Sequence, residues 1–182
     1  MEENDKRNIY PELYTRKETT KQLVCSYTKL IEAEKRCHRK VGYKNSVARF
    51  DLNLLTKIYN LRQELLNGTY KTQQGQVFEI FEPKYRLVTS TKFKDRIPQA
   101  CFVVNYMYPY VISHHIPNNC ACVKKKGTQY ARDILKSLLK QSELNEYCLK
   151  VDFKDYFASI NHKILFKELS NYIKDSWAMS YF

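Results

Sequence analysis

Tyr147-Cys-Leu-Lys-Val-Asp-Phe-Lys-Asp-Tyr-Phe-Ala-Ser-Ile-Asn-His162 is the stretch on which the fold turns. Residues 148–151 read as a short strand, and Asp152 falls where that strand would end. Asp155, Tyr156 and Phe157 follow in a turn, and a helix is predicted to begin near Asn161. A carboxylate at the carboxyl end of a buried strand is placed to hold a divalent metal at a cleft edge. An Asp after a strand also serves as a helix cap or turn residue, and an aromatic pair also suits a core. The stretch alone leaves both readings open.

The 182 residues fit one domain of ordinary size, large enough to bury a core. A hydrophobic content of 43% argues against disorder. No apolar run reaches the ~20 residues of a membrane span, and the acidic, polar N-terminus is no signal peptide. These features predict a cytoplasmic protein with no membrane partner. Net charge is +12, from 31 Lys and Arg against 19 Asp and Glu. Such a balance favours a polyanion, because neutralised phosphates release counterions. The six cysteines lack the paired spacing of a structural zinc site, so they read as reduced thiols, several of them in the core.

Outward from the opening stretch, Thr15-x-x-Glu18 reads as a capping box before a helix carrying Leu23, Tyr27, Leu30 and Ile31. A second helix carries Val47, Phe50, Leu54, Ile58, Leu61 and Leu65 at steps of three or four, ending at Asn67-Gly68. Between them Lys35-Arg-Cys-His-Arg-Lys40 is either a solvated turn or a phosphate contact. From Val77 two β-prone runs flank Glu82-Pro83-Lys84, predicting a hairpin. Asp95 is predicted to cap a helix with Pro98 in its first turn, running towards Pro109. Residues 117–127 read as a loop, Thr128 opens a helix, and a last helix starts near His162. The order α-α-β-β-α-α-β-α predicts an α+β domain.

Period-two alternation predicts Lys84 and Arg86 on one face of a strand, where two cations suit a triphosphate. A solvated strand shows the same alternation. Lys124, Lys125 and Lys126 precede Gly127 and the helix start at Thr128, a credible phosphate site or a plain basic turn.

Three blocks resemble the reverse transcriptases of bacterial and phage type: group II intron, retron and diversity-generating retroelements. Lys84-Tyr-Arg86 with Asp95-Arg96-Ile-Pro-Gln99 is similar to their fingers hairpin and the helix after it. Ala121-Cys-Val-Lys-Lys-Lys-Gly-Thr128 resembles their template-contacting loop, departing at Asn119, Cys120 and Val123. The string from Val151 to His162 resembles motif A, and Leu65-Leu-Asn-Gly-Thr-Tyr70 is also shared. The resemblance covers roughly residues 47–173.

It implies the fingers and partial palm of a right-hand polymerase, helix-rich, with a β-hairpin and the motif A strand. A helical extension would occupy residues 1–45, the fingers 46–145 and the start of the palm 146–182. Asp152 and the backbone carbonyl of Phe153 would hold Mg²⁺ in a two-metal site, with Asp152 catalytic. Lys84, Arg86 and Arg96 would lie near the incoming dNTP or template, and Phe157 under its sugar, rejecting a 2′-OH. Lys124, Lys125, Lys126, Gly127 and Thr128 would bind nucleic acid. The implied partners are an RNA template, a DNA or RNA primer and dNTP; oligomeric state is left open. The family's Tyr-x-Asp-Asp hairpin is missing, since no Asp-Asp dipeptide occurs in the sequence, as is its Gly-x-Pro-Gln-Gly block. With the apolar end from Trp177 to Phe182, the chain reads as a truncated portion of a longer polymerase, inactive alone. The alternative is a non-catalytic RNA-binding module derived from such an enzyme.

Overall fold

The computed structural model describes residues 19–142 and 146–180. The chain divides into two compact units, Met1–Val111 and Ile112–Phe182. The expected box at Thr15 and Glu18 lies outside the described residues. A capping box occurs instead at Thr19, whose Oγ1 accepts from the Gln22 amide while Gln22 Oε1 accepts from the Thr19 amide. It starts α1 (Thr20–Val24), satisfying two of the amides that a helix start leaves unpaired.

The first expected helix is two. Ser26 leaves the helical region with ψ 136° and its Oγ lies 2.7 Å from Thr28 Oγ1, so α2 (Tyr27–His38) starts afresh. A short polar side chain offers such local bonds and so favours a cap over a helix interior. The second expected helix also divides, at Asn53 (φ −129°, ψ 36°), into α3 (Asn45–Asp51) and α4 (Leu54–Asn67). Gly68 ends α4 at φ 68°, a left-handed cap that glycine adopts without Cβ strain, and its amide donates to Glu64 O.

The predicted hairpin is present. β1 (Gln76–Ile80) pairs antiparallel with β2 (Arg86–Ser90), in register from Gln76 opposite Ser90 to Ile80 opposite Arg86. α5 (Phe93–Phe102) follows, but Lys92 is its N-cap and Asp95 lies inside its first turn. Asp95 is fully buried and serves the preceding chain: Tyr70 O–H donates to Oδ1 at 2.8 Å and the Gln73 amide to Oδ2 at 3.1 Å. Pro98 is consequently within the helix, not its first turn. A π-helical turn, Val103–Met107, leads into α6 (Tyr108–Ile112). Pro109 has no N–H for Asn105 O and its ring crowds that carbonyl, which accounts for the wider turn.

The core of the first unit is built from the apolar stripes. Leu30 and Ala33 of α2, Ile58 and Leu61 of α4, and Ile97 and Cys101 of α5 are each at most 2% exposed. Phe50 and Phe93 add an edge-on ring pair at 5.2 Å. All six cysteines are free. Burial pushes the Cys101 thiol up to about 12, which leaves it an inert apolar filler donating to Val24 O.

The second unit holds α7 (Thr128–Gln141), α8 (Tyr156–Ser159), α9 (His162–Tyr172) and α10 (Ser176–Met179). Asn161 caps α9, its Oδ1 accepting from the Lys163 and Ile164 amides. The strand expected at residues 148–151 is not formed. A strand exists only through a neighbour's ladder, and β1 and β2, the described strands, pair with each other. The described chain is thus helix-rich with one two-stranded antiparallel sheet, an α+β composition. No described helix is long and apolar enough to cross a membrane.

Candidate functional site

Arg86 opens β2 opposite Ile80, and the pleat puts it on the face shared by Phe78, Ile80 and Val88. Lys84 does not share that strand. The ladder ends at Ile80 and Arg86, so Lys84 lies in the connecting turn, where strand alternation no longer fixes a direction. Both side chains are exposed. Across the turn, Tyr85 O–H donates to Glu79 Oε1 at 3.2 Å and the Phe81 and Tyr85 rings lie 5.7 Å apart. The hairpin therefore projects cations and uncovered apolar side chains together; Phe81 is 67% and Leu87 63% exposed.

Arg96 stands at the hairpin's base. Its Nη2 donates to Ser90 Oγ at 2.8 Å, and its backbone carbonyl accepts from the Cys37 thiol at 3.5 Å. These contacts join the end of β2, α5 and α2 around a half-buried guanidinium. The anchor beneath is the Asp95 network. Burial pushes the Tyr70 phenol well up, reinforced by its bond to Asp95, so the O–H stays protonated and fixes the segment entering β1. Lys94 completes the brace with a 2.7 Å ion pair to Glu64 of α4.

The basic cluster of residues 35–40 divides its roles. Lys35, Arg36, Arg39 and Lys40 are exposed, while His38 turns to Asp51 with Nε2 3.0 Å from Oδ2. Gly42 packs under that ring, and a Cβ there would have to displace the His38 side chain.

In the second unit the loop before α7 holds Cys122 and Lys125 at φ 57° and 63°, left-handed positions that cost a non-glycine residue energy. Lys126 is turned back on its own loop: Nζ donates to Pro117 O at 2.6 Å and lies 5.2 Å from the Tyr130 ring centroid. Lys124 and Lys125 are exposed. Gly127 is the N-cap of α7 and brings no capping side chain, so the first amides of the helix, from Thr128 onward, have no cap bond. Exposed lysines beside those amides form a surface suited to phosphate.

Asp152 is exposed within residues 146–153, which carry no regular structure. Phe153 is 71% and Phe157 86% exposed, and the Tyr156 ring lies between them at 6.1 and 5.4 Å. Asp155 is the N-cap of α8 at φ 49°, consistent with a turn role. Among the described residues no three His, Cys, Asp or Glu side chains converge to hold a metal. Asp152 would offer one carboxylate and Phe153 one carbonyl, and Mg²⁺ usually completes its six oxygens with waters and substrate phosphates.

Lys44, Ser46 and Lys92, which carry no motif, join Arg96 around one cleft. No linear signal marks them, because the starts of two helices distant in sequence bring them together. In comparison with known proteins, no protein-family model matches the chain and no curated protein matches it.

Proposed function

We propose that the chain is the template-primer- and dNTP-binding portion of an RNA-directed DNA polymerase of bacterial or phage type, comprising fingers and the start of the palm. The observation that carries this reading is the succession of three sequence blocks, the first two on local structure that suits their roles and the third without the strand expected before Asp152. Lys84 and Arg86 belong to a projecting hairpin, with Arg96 at its base. The lysine loop runs straight into the uncapped start of α7. Asp152, Phe153 and Phe157 lie exposed in the third block. In this reading Arg86 and Lys84 grip the triphosphate, the loop follows the template, and Phe157 packs under the deoxyribose. Mg²⁺, when bound through Asp152 with further acidic ligands, would activate a primer 3′-OH and steady the leaving pyrophosphate.

A second reading, a non-catalytic RNA-binding module, is favoured by one observation: among the described residues no acidic cluster accompanies Asp152. Both readings predict binding; only the first predicts a nucleotide and metal role. The 182-residue chain should bind template-primer with affinity falling steeply with salt, by about −0.7 to −0.9 in log–log slope per phosphate neutralised. Changing Lys124 and Lys125 to Ala should flatten that slope. Binding that is absent, or indifferent to salt, would overturn both. Supplied with the acidic hairpin it lacks, the chain should extend primers and Asp152→Asn should abolish extension; a bound but silent complex would select the binding module.

A further inference from the structure

We propose that the cleft between the end of β2 and the starts of α3 and α5 is a binding site for a single phosphate group. The cavity measures about 200 Å³ and is lined by Lys44, Ser46, Ser90, Thr91, Lys92 and Arg96, with no carboxylate on its wall. Three cations and three hydroxyls thus surround one small space. Its volume is below the ~300–1,000 Å³ of pockets that enclose drug-sized ligands, so it suits a charged group rather than a whole nucleotide.

The cations are open to a ligand. Among the described residues neither the Lys44 nor the Lys92 ammonium makes a hydrogen bond or ion pair. The Arg96 guanidinium is held by Ser90 Oγ at 2.8 Å, which leaves other N–H donors of its fork available. Lys92 is also the N-cap of α5, a ten-residue helix, and gives no side-chain cap, so the first amides of that helix open beside the same residues. Buried Phe93 and Val47 form the apolar floor beneath the half-buried Lys92 and Arg96. Three cations line this one cleft with no carboxylate among them, and a phosphate bearing one or two negative charges would complement them.

The phosphate has two natural sources, the backbone of an RNA or DNA strand and a free or terminal phosphate. We assign it to the strand backbone, an extension that rests on the nucleic-acid reading above; phosphate binding in the cleft does not. The test compares the whole chain with Lys44→Ala/Lys92→Ala, whose truncated side chains remove no internal bond, and with Lys44→Arg/Lys92→Arg, which keeps the charge. Single-stranded RNA with a 5′-hydroxyl, the same RNA with a 5′-phosphate, and inorganic phosphate are titrated against each.

With 5′-hydroxyl RNA the salt slope of the alanine variant should be shallower by about 0.7, the share of one phosphate on a single strand, and the arginine variant should keep the parent slope. Amide chemical shifts at residues 91–94 should respond to inorganic phosphate in the parent and not in the alanine variant. Loss of the phosphate response with an unchanged 5′-hydroxyl RNA slope keeps the site and overturns the backbone assignment, and a slope that flattens only with 5′-phosphate RNA does the same. If the parent binds phosphate in the cleft and no RNA at all, the polymerase reading fails and the site stands. Identical slopes and identical shift responses in parent and alanine variant overturn the proposal.

Discussion

Glu34 is 4% exposed and makes no hydrogen bond among the described residues, yet it faces His38 and Asp51 across a shallow pocket. Burial pushes its carboxyl above the ordinary glutamate range, the charge of Asp51 pushes it further, and His38 and Lys35 oppose the rise. A raised acid holds its proton more tightly when folded, so the native state binds more protons than the unfolded chain and stability falls as pH rises. The loss begins near the unfolded value of 4.5 and is complete once pH exceeds the folded value. Glu34→Gln keeps the shape without the charge. It should unfold at higher urea than the parent at pH 7, the gap closing towards pH 4. Equal midpoints at pH 7 would mean that the carboxylate is already well solvated. Asp95 shows why single residues are hard to read from sequence: Asp just inside a helix start is commonly a cap, whereas this one serves Tyr70 and Gln73. Its partners precede the helix by a whole hairpin, a separation that spacing cannot encode.

Elements defined by a repeating pattern were legible, and those defined by a partner were not. The stripes of Ile58, Leu61 and Leu65 and the β-prone runs around Pro83 each became the expected element, because period and turn chemistry act locally. The breaks at Ser26 and Asn53 were missed, since the apolar period continues across them while one residue leaves the helical region. Residues 148–151 have strand character without a strand, because pairing is a property of two segments. In the candidate site the loop and the hairpin could be read, while Lys44 and Lys92 come together only through the fold. Gly127 separates structural from functional need. Its backbone is extended at φ −148°, open to any residue, and nothing lies within 4 Å of where a Cβ would stand. Gly127→Ala should therefore leave stability unchanged to within about 0.5 kcal/mol. Gly68→Ala, at φ 68°, should cost about 1 kcal/mol. If template phosphate approaches the first amides of α7, the added methyl of Gly127→Ala should weaken template-primer binding. Unaltered affinity would show that the strand passes elsewhere.

At the scale of the molecule, the two units differ in how much they bury. The first encloses Leu30, Ile58, Leu61 and Ile97, each at most 1% exposed. In the second, α7 and α9 contain no buried residue, and Leu138 and Ile164 are 52% and 60% exposed. Helices of 14 and 11 residues with little tertiary cover are marginal in water, because propagation barely offsets nucleation. A net charge of +12 adds self-repulsion that a polyanion would relieve. Local opening should therefore be cheap in α7 and costly in α2, α4 and α5. Amide hydrogen exchange should show α7 and α9 exchanging well before the first unit's helices. Template-primer at about 100 times Kd stabilises the bound form by about 2.7 kcal/mol, which should slow exchange in the first turn of α7 by up to ~100-fold at low salt. The effect should fade as salt rises, in step with binding. If α7 is as protected as α5 in the free protein, its apolar side is covered in solution. If protection instead rises in α5 alone on binding, the cleft at the hairpin's base, and not the lysine loop, is the main nucleic-acid contact.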